Sequence, residues 1–112
     1  MLASEESEPY VCTPYITDHM RAGWNNNYEQ VYKLQVFLNE MLDTEINTDG
    51  VFTPETEAAV REFQELYSEN ILDPWDLDKG TGFVYLTTKR WINILKCPDI
   101  DEPMPELVPY SD

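Results

Sequence analysis

The chain has 112 residues, of which 7 are Lys or Arg and 22 are Asp or Glu, giving a formal net charge of -15. That balance argues against nucleic acid and anionic lipid as partners, since both repel it at long range, and leaves neutral glycans and proteins open. The length suits one domain with an adequate core. No apolar run approaches a membrane span, and Met1-Leu2-Ala3 is too short for a signal peptide, so an export signal is not expected within these residues.

Residues Met1 to Pro9 are acidic and polar, the composition of a solvated arm. Tyr10 to Ile16 is predicted to be extended, because Pro14 interrupts regular pairing. His19, the single histidine, follows with Arg21, Gly23 and Trp24. Beside a loop it reads as solvated or hydrogen-bonded rather than catalytic. A first helix is predicted from Tyr28 to Leu42, capped by Asn26 or Asn27, with Val31, Leu34, Leu38, Met41 and Leu42 as its buried stripe. Gln35 borders that stripe and suits an amide bonded to a neighbouring loop or, less simply, a ligand contact.

Asp43 to Gly50 superficially matches a calcium loop, with Glu45, Asn47, Asp49 and Gly50 in its early positions. The twelfth position is Thr56 instead of a bidentate glutamate, so an ordinary turn is expected, with no metal. Asp49-Gly50 reverses the chain. Val51 and Phe52 lead to Thr53 as N-cap and Pro54 as the first helical residue, with Glu55 and Glu57 favourably placed in the first turn. In this second helix Ala59, Val60, Phe63, Leu66 and Tyr67 form the predicted apolar face.

Pro74 then stops helical continuation. Trp75, among Asp73, Asp76 and Asp78, either lids the core edge or offers its face to a sugar ring. Lys79-Gly80-Thr81-Gly82 is a turn cluster lacking the ending of a phosphate-binding loop. Phe83 to Leu86 is predicted to be extended. A last helix should start from Thr87 or Thr88 as cap and run to about Lys96, burying Trp91, Ile92, Ile94 and Leu95.

Two sets of spacings mark a weak internal repeat. Gly50, Thr56, Val60 and Phe63 recur as Gly82, Thr88, Ile92 and Leu95 at a displacement of 32, while Val31, Leu34 and Gln35 recur as Val60, Phe63 and Gln64 at 29. Two turn-then-helix units are expected to close on the first helix. Residues 98–112 are acidic and rich in proline, which favours an extended segment. Leu107, Val108 and Tyr110 are candidates for docking on a second copy. Cys12 and Cys97 lie outside CxxC spacing and, with one histidine, do not suit zinc; a long-range disulfide and two separate thiols both fit the residues.

Leu34-Gln35 with Leu38, then Asp49-Gly50 with Phe52, then Pro54 with Thr56, then Ala58-Ala59-Val60 with Phe63-Gln64, together resemble the peptidoglycan-binding-like domain family. Thr53 stands where that family usually has glycine. The resemblance spans roughly Tyr28 to Cys97. It implies a mainly α protein, a three-helix orthogonal bundle with short extended segments, flanked by an extended N-terminal arm and a Pro-rich C-terminal tail. The expected division is residues 1–16 as arm, 17–97 as the helical domain and 98–112 as tail.

The extracellular setting implied by the resemblance favours the Cys12–Cys97 disulfide. A family-like groove would present Gln35, Asp49, Gly50, Phe52 and Gln64, with Trp75, Tyr85 or Trp91 as a stacking surface for cell-wall glycan or a peptide stem. No GxSxG, HExxH or His–Cys pairing is present. A small helical body leaves little room for a glycosidase cleft, so a noncatalytic module without cofactor is expected. The alternative is a structural subunit of an extracellular layer or fibre that assembles through residues 98–112.

Overall fold

The computed structural model describes residues 12–110. Among them are four helices and no strand: α1 (Tyr28–Leu42), α2 (Pro54–Leu66), α3 (Ser68–Ile71) and α4 (Leu86–Lys96), with a 3₁₀ turn at Asp73–Trp75. Residues 1–11 of the expected 1–16 arm and the last two residues of the Pro-rich segment lie outside the described residues.

Local chemistry sets the start of α1. Asn27 is extended, and its side-chain oxygen accepts from the backbone N–H of Gln30 at 3.0 Å, satisfying a donor the helix itself cannot. The helix stops at Asp43, which takes the left-handed conformation at φ 56. Asn39 then organises the exit. Its Oδ1 accepts from the Thr44 hydroxyl at 3.0 Å and the Ile46 N–H at 2.9 Å, and its Nδ2 donates to the Ile46 carbonyl at 3.0 Å. An amide clamp thus shapes the stretch that superficially resembled a calcium loop.

Val31, Leu34 and Leu38 are fully buried, and so is Phe37, which the simple stripe omits. The buried face of α1 is wide because it has two covers. The Phe37 ring meets Phe63 of α2 edge-on at 5.2 Å and Tyr15 of the N-terminal segment at 6.4 Å. Burying a side chain of this size contributes about 1.5–3 kcal/mol.

α2 opens as its cap residues dictate. Thr53 is extended and its hydroxyl accepts from the Thr56 N–H at 3.2 Å, with Pro54 at the first helical position. Ala59, Val60 and Phe63 are buried, but Leu66 is 58% exposed. The helix ends at Leu66, and the half-buried Tyr67 with Ile71 of α3 carries the apolar face onward.

The start of α4 departs from expectation. The helix begins at Leu86, and Tyr85 at the N-cap provides no side-chain bond. Thr87 and Thr88 lie inside the first turn because their hydroxyls serve distant partners. Thr87 donates to the Ile71 carbonyl at 2.7 Å and accepts from the Trp75 indole at 2.9 Å. Thr88 accepts from the Gln64 amide at 3.0 Å.

The N-terminal segment closes the remaining side of the core with Ile16 and Met20, both fully buried. Met20 and Val84 form an isolated antiparallel bridge, with N–H···O distances of 3.0 and 2.8 Å. Cys12 and Cys97 are joined in a disulfide with 6.2 Å between their Cα atoms, tying the same segment to the end of α4.

Candidate functional site

Two buried glutamines build the turns on which the site rests. Gln35 of α1 accepts at Oε1 from the Gly50 N–H at 2.9 Å, and its Nε2 donates to the Val51 carbonyl at 2.9 Å and the Thr56 hydroxyl at 3.0 Å. Gln64 of α2 repeats the pattern one unit later. Its Oε1 accepts from the N–H groups of Thr81 at 2.8 Å and Gly82 at 3.0 Å, and its Nε2 donates to the Phe83 carbonyl at 3.0 Å and the Thr88 hydroxyl. Gly50 and Gly82 take φ of 77 and 78. That conformation suits glycine, and a Cβ at either would strike the Tyr28 ring or the Glu57 side chain.

A third amide closes the ring of contacts. Asn93 of α4 accepts from the Ile16 N–H at 2.8 Å and donates to the Ile16 carbonyl at 3.0 Å. Each long helix therefore uses one buried amide to hold a non-helical segment that leads towards another long helix. Gln35, Gln64 and Asn93 recur at intervals of 29 residues. The spacing of the glutamines, extended once more, finds the asparagine.

The segment held by Gln64 carries an aromatic array. Phe83 and Tyr85, two residues apart on extended backbone, stack at 4.9 Å and 11°. Trp75, from the 3₁₀ turn, stacks on Tyr85 at 5.8 Å and 28°. The Arg21 guanidinium lies 5.0 Å from the Phe83 centroid, and Trp24 meets Phe83 edge-on at 5.3 Å. Trp75, Phe83, Tyr85 and Arg21 line a cavity of about 330 Å³ whose wall also includes Gln64, Leu72, Thr81 and Thr87, and Trp24 backs Phe83 without entering that wall. Its size is at the low end for small-ligand sites, and it combines apolar faces with a few fixed polar groups.

Residues 98–110 lie partly across this face. The Arg90 Nε donates to the Glu102 carbonyl at 2.9 Å and the Tyr85 hydroxyl donates to the Val108 carbonyl at 2.7 Å. The Tyr110 ring contacts Trp24, Phe83 and Tyr85 at 5.3, 5.4 and 5.8 Å, and Pro109 joins it in the cavity wall. The segment expected to reach a second copy lies against its own chain.

The structure brings Trp75, Tyr85 and Gln64 together at this cavity and separates them from the other candidates. Gln35, Asp49, Gly50 and Phe52 belong to the first turn, where Asp49 is exposed, Phe52 is 9% exposed and the Gln35 amide is spent on the turn backbone and on the side chains of Asp49 and Thr56. Trp91 packs on Tyr67 at 6.1 Å, and its indole N–H is buried with no hydrogen-bond partner among the described residues. Phe83 and Arg21 are lining residues that the sequence reading did not assign to a binding site, and Tyr110, expected to dock on a second copy, lines the cavity of its own chain. The period-two pair Phe83 and Tyr85 was the available signal for the first of them. His19 places its ring 4.8 Å from Tyr85. Burial holds its pKa below the usual histidine value, with Lys89 acting in the same direction and Asp18 opposing.

Residues 27–68, from the N-cap of α1 to the first residue of α3, match the family model described as "Putative peptidoglycan binding domain". Neither the comparison with curated proteins nor that with solved structures gives a significant match.

Proposed function

We propose that the cavity lined by Trp75, Phe83 and Tyr85 binds cell-wall glycan or its peptide stem, in a noncatalytic envelope module that works outside the cytoplasm. The stacked array beside a cavity of about 330 Å³ carries this reading. Flat aromatic faces cover the apolar face of a pyranose or a peptide side chain, while Thr81 and the Arg21 guanidinium supply polar contacts at the edge. The family match over residues 27–68 supports the ligand class. It covers the first turn, and the cavity lies at the second, which the same glutamine construction builds.

In this reading residues 17–97 form the binding domain, with α1, α2 and α4 as a three-helix bundle of the peptidoglycan-binding-like type, and residues 1–16 and 98–112 flank it. The Cys12–Cys97 disulfide fits an oxidising compartment, which supports an extracellular or envelope location. Self-assembly through residues 98–112 has less support, because Val108 and Tyr110 are engaged within their own chain.

Trp75→Ala is expected to lower retention on purified cell wall about tenfold, the scale of one lost aromatic contact. The protein should stay folded at the assay temperature, since Trp75 is half-buried and gives up one hydrogen bond, to Thr87. Unchanged retention of the folded variant would overturn the reading.

A further inference from the structure

Pro109 and Tyr110 wall the same cavity that Trp75 and Tyr85 line. We propose that the segment Glu106–Tyr110 is a built-in competitor for this cavity, an intramolecular strap that an incoming ligand must displace. The inference rests on the proposed wall-binding role for the identity of that ligand, but the strap itself has a test that does not use wall material.

The contacts are those of a docked peptide rather than of a packed core element. Beyond the turn that the Ile100 N–H closes on the Cys97 carbonyl at 2.9 Å, the segment to residue 110 has no helix, strand or bridge to fix its path. Its hold on the aromatic face comes from the Val108 carbonyl, which accepts from the Tyr85 hydroxyl, and from the Tyr110 ring set edge-on against Phe83 and Tyr85. Val108 and Tyr110 remain 51% and 43% exposed. A proline between a carbonyl acceptor and an aromatic anchor is a pre-extended recognition element, with little ordering entropy to lose.

The same rings that would meet a sugar are therefore partly engaged by Tyr110. The disulfide at Cys97 fixes the root of the segment near the end of α4, which keeps the anchor at high effective concentration. Acidic residues along the segment, Asp101, Glu102 and Glu106, repel a chain of net charge -15 and oppose tight closure. A contact that is local but weak suits a strap that opens.

Apparent affinity for any ligand of the cavity falls by the fraction of molecules whose strap is open. The test uses a variant ending at Pro105 and a fluorescent peptide spanning residues 105–112, with Tyr110→Ala in the full chain as a second variant that keeps the backbone intact. The shortened variant and Tyr110→Ala are both expected to bind the peptide on the order of tenfold more tightly than the full chain does. Equal peptide binding by all three proteins, or binding by none, would overturn the strap. Wall retention separates the two ideas: peptide uptake that depends on the strap without wall retention by any form leaves the strap standing and removes the wall reading. Equal wall retention by all forms, with no peptide uptake, removes the strap and leaves the wall reading standing.

Discussion

Replacing Gln64 with alanine is expected to lower the unfolding free energy by about 3–5 kcal/mol, among the largest effects of any single substitution in this chain. The amide is 1% exposed, and its loss leaves the N–H groups of Thr81 and Gly82 and the carbonyl of Phe83 without their partner. An orphaned buried group costs about 1–3 kcal/mol, which applies in full to the buried Gly82 N–H, while water reaching the exposed Thr81 and the half-buried Phe83 keeps the total below the simple sum. Gln64→Glu separates the roles of the two ends of the side chain. It keeps an acceptor for the backbone N–H groups, removes the donors to Phe83 and Thr88, and brings a charge into a buried site, so it should also destabilise. Urea unfolding of the three proteins measures this, and a cost below about 1 kcal/mol for Gln64→Ala would contradict the assignment of the turn to this amide. Because the turn bears Phe83 and Tyr85, surviving folded protein should also bind ligand poorly.

The second large effect concerns the unfolded chain. Cys12 and Cys97 are 85 residues apart, and closing a loop of that length stabilises the native state by about 4 kcal/mol in the chain-entropy description. Replacing both cysteines with serine is expected to lower the Tm by roughly 15–30 °C for a domain of this size. The native N-terminal segment keeps its other ties, the Met20–Val84 bridge and the Asn93 contacts to Ile16. The variant should therefore still fold at low temperature with an unchanged cavity. A Tm within about 2 °C of the parent would show that the unfolded chain gains little freedom when the link is removed.

What the sequence made legible was mostly what neighbouring residues decide among themselves. The starts of α1 and α2 follow from Asn27 and from Thr53-Pro54, whose bonds reach three residues along the chain. The start of α4 was missed because Thr87 and Thr88 look like caps but spend their hydroxyls on Ile71, Trp75 and Gln64, partners that periodicity does not reveal. The repeat of Gln35 and Gln64 was readable as a spacing, while its meaning, inward amides holding turns, appears only when the turns are seen folded back on the helices. Trp91 was a helix-face residue by its period, and nothing local indicates that the face turns towards Tyr67 instead of the cavity. The cavity itself gathers Arg21 from one segment, Trp75 from a 3₁₀ turn, Phe83 and Tyr85 from another stretch and Tyr110 from beyond α4. Its parts were visible separately, and their meeting is a property of the tertiary path.

The most direct test is a titration of isotopically labelled protein with soluble fragments of purified cell wall, followed by nuclear magnetic resonance. The largest shifts are expected at the Trp75 indole N–H and along Thr81 to Tyr85, with Tyr110 shifting as the strap is displaced. Shifts concentrated instead around the exposed Tyr28, Tyr32 and Val51, or none at any fragment concentration, would contradict binding at the aromatic cavity.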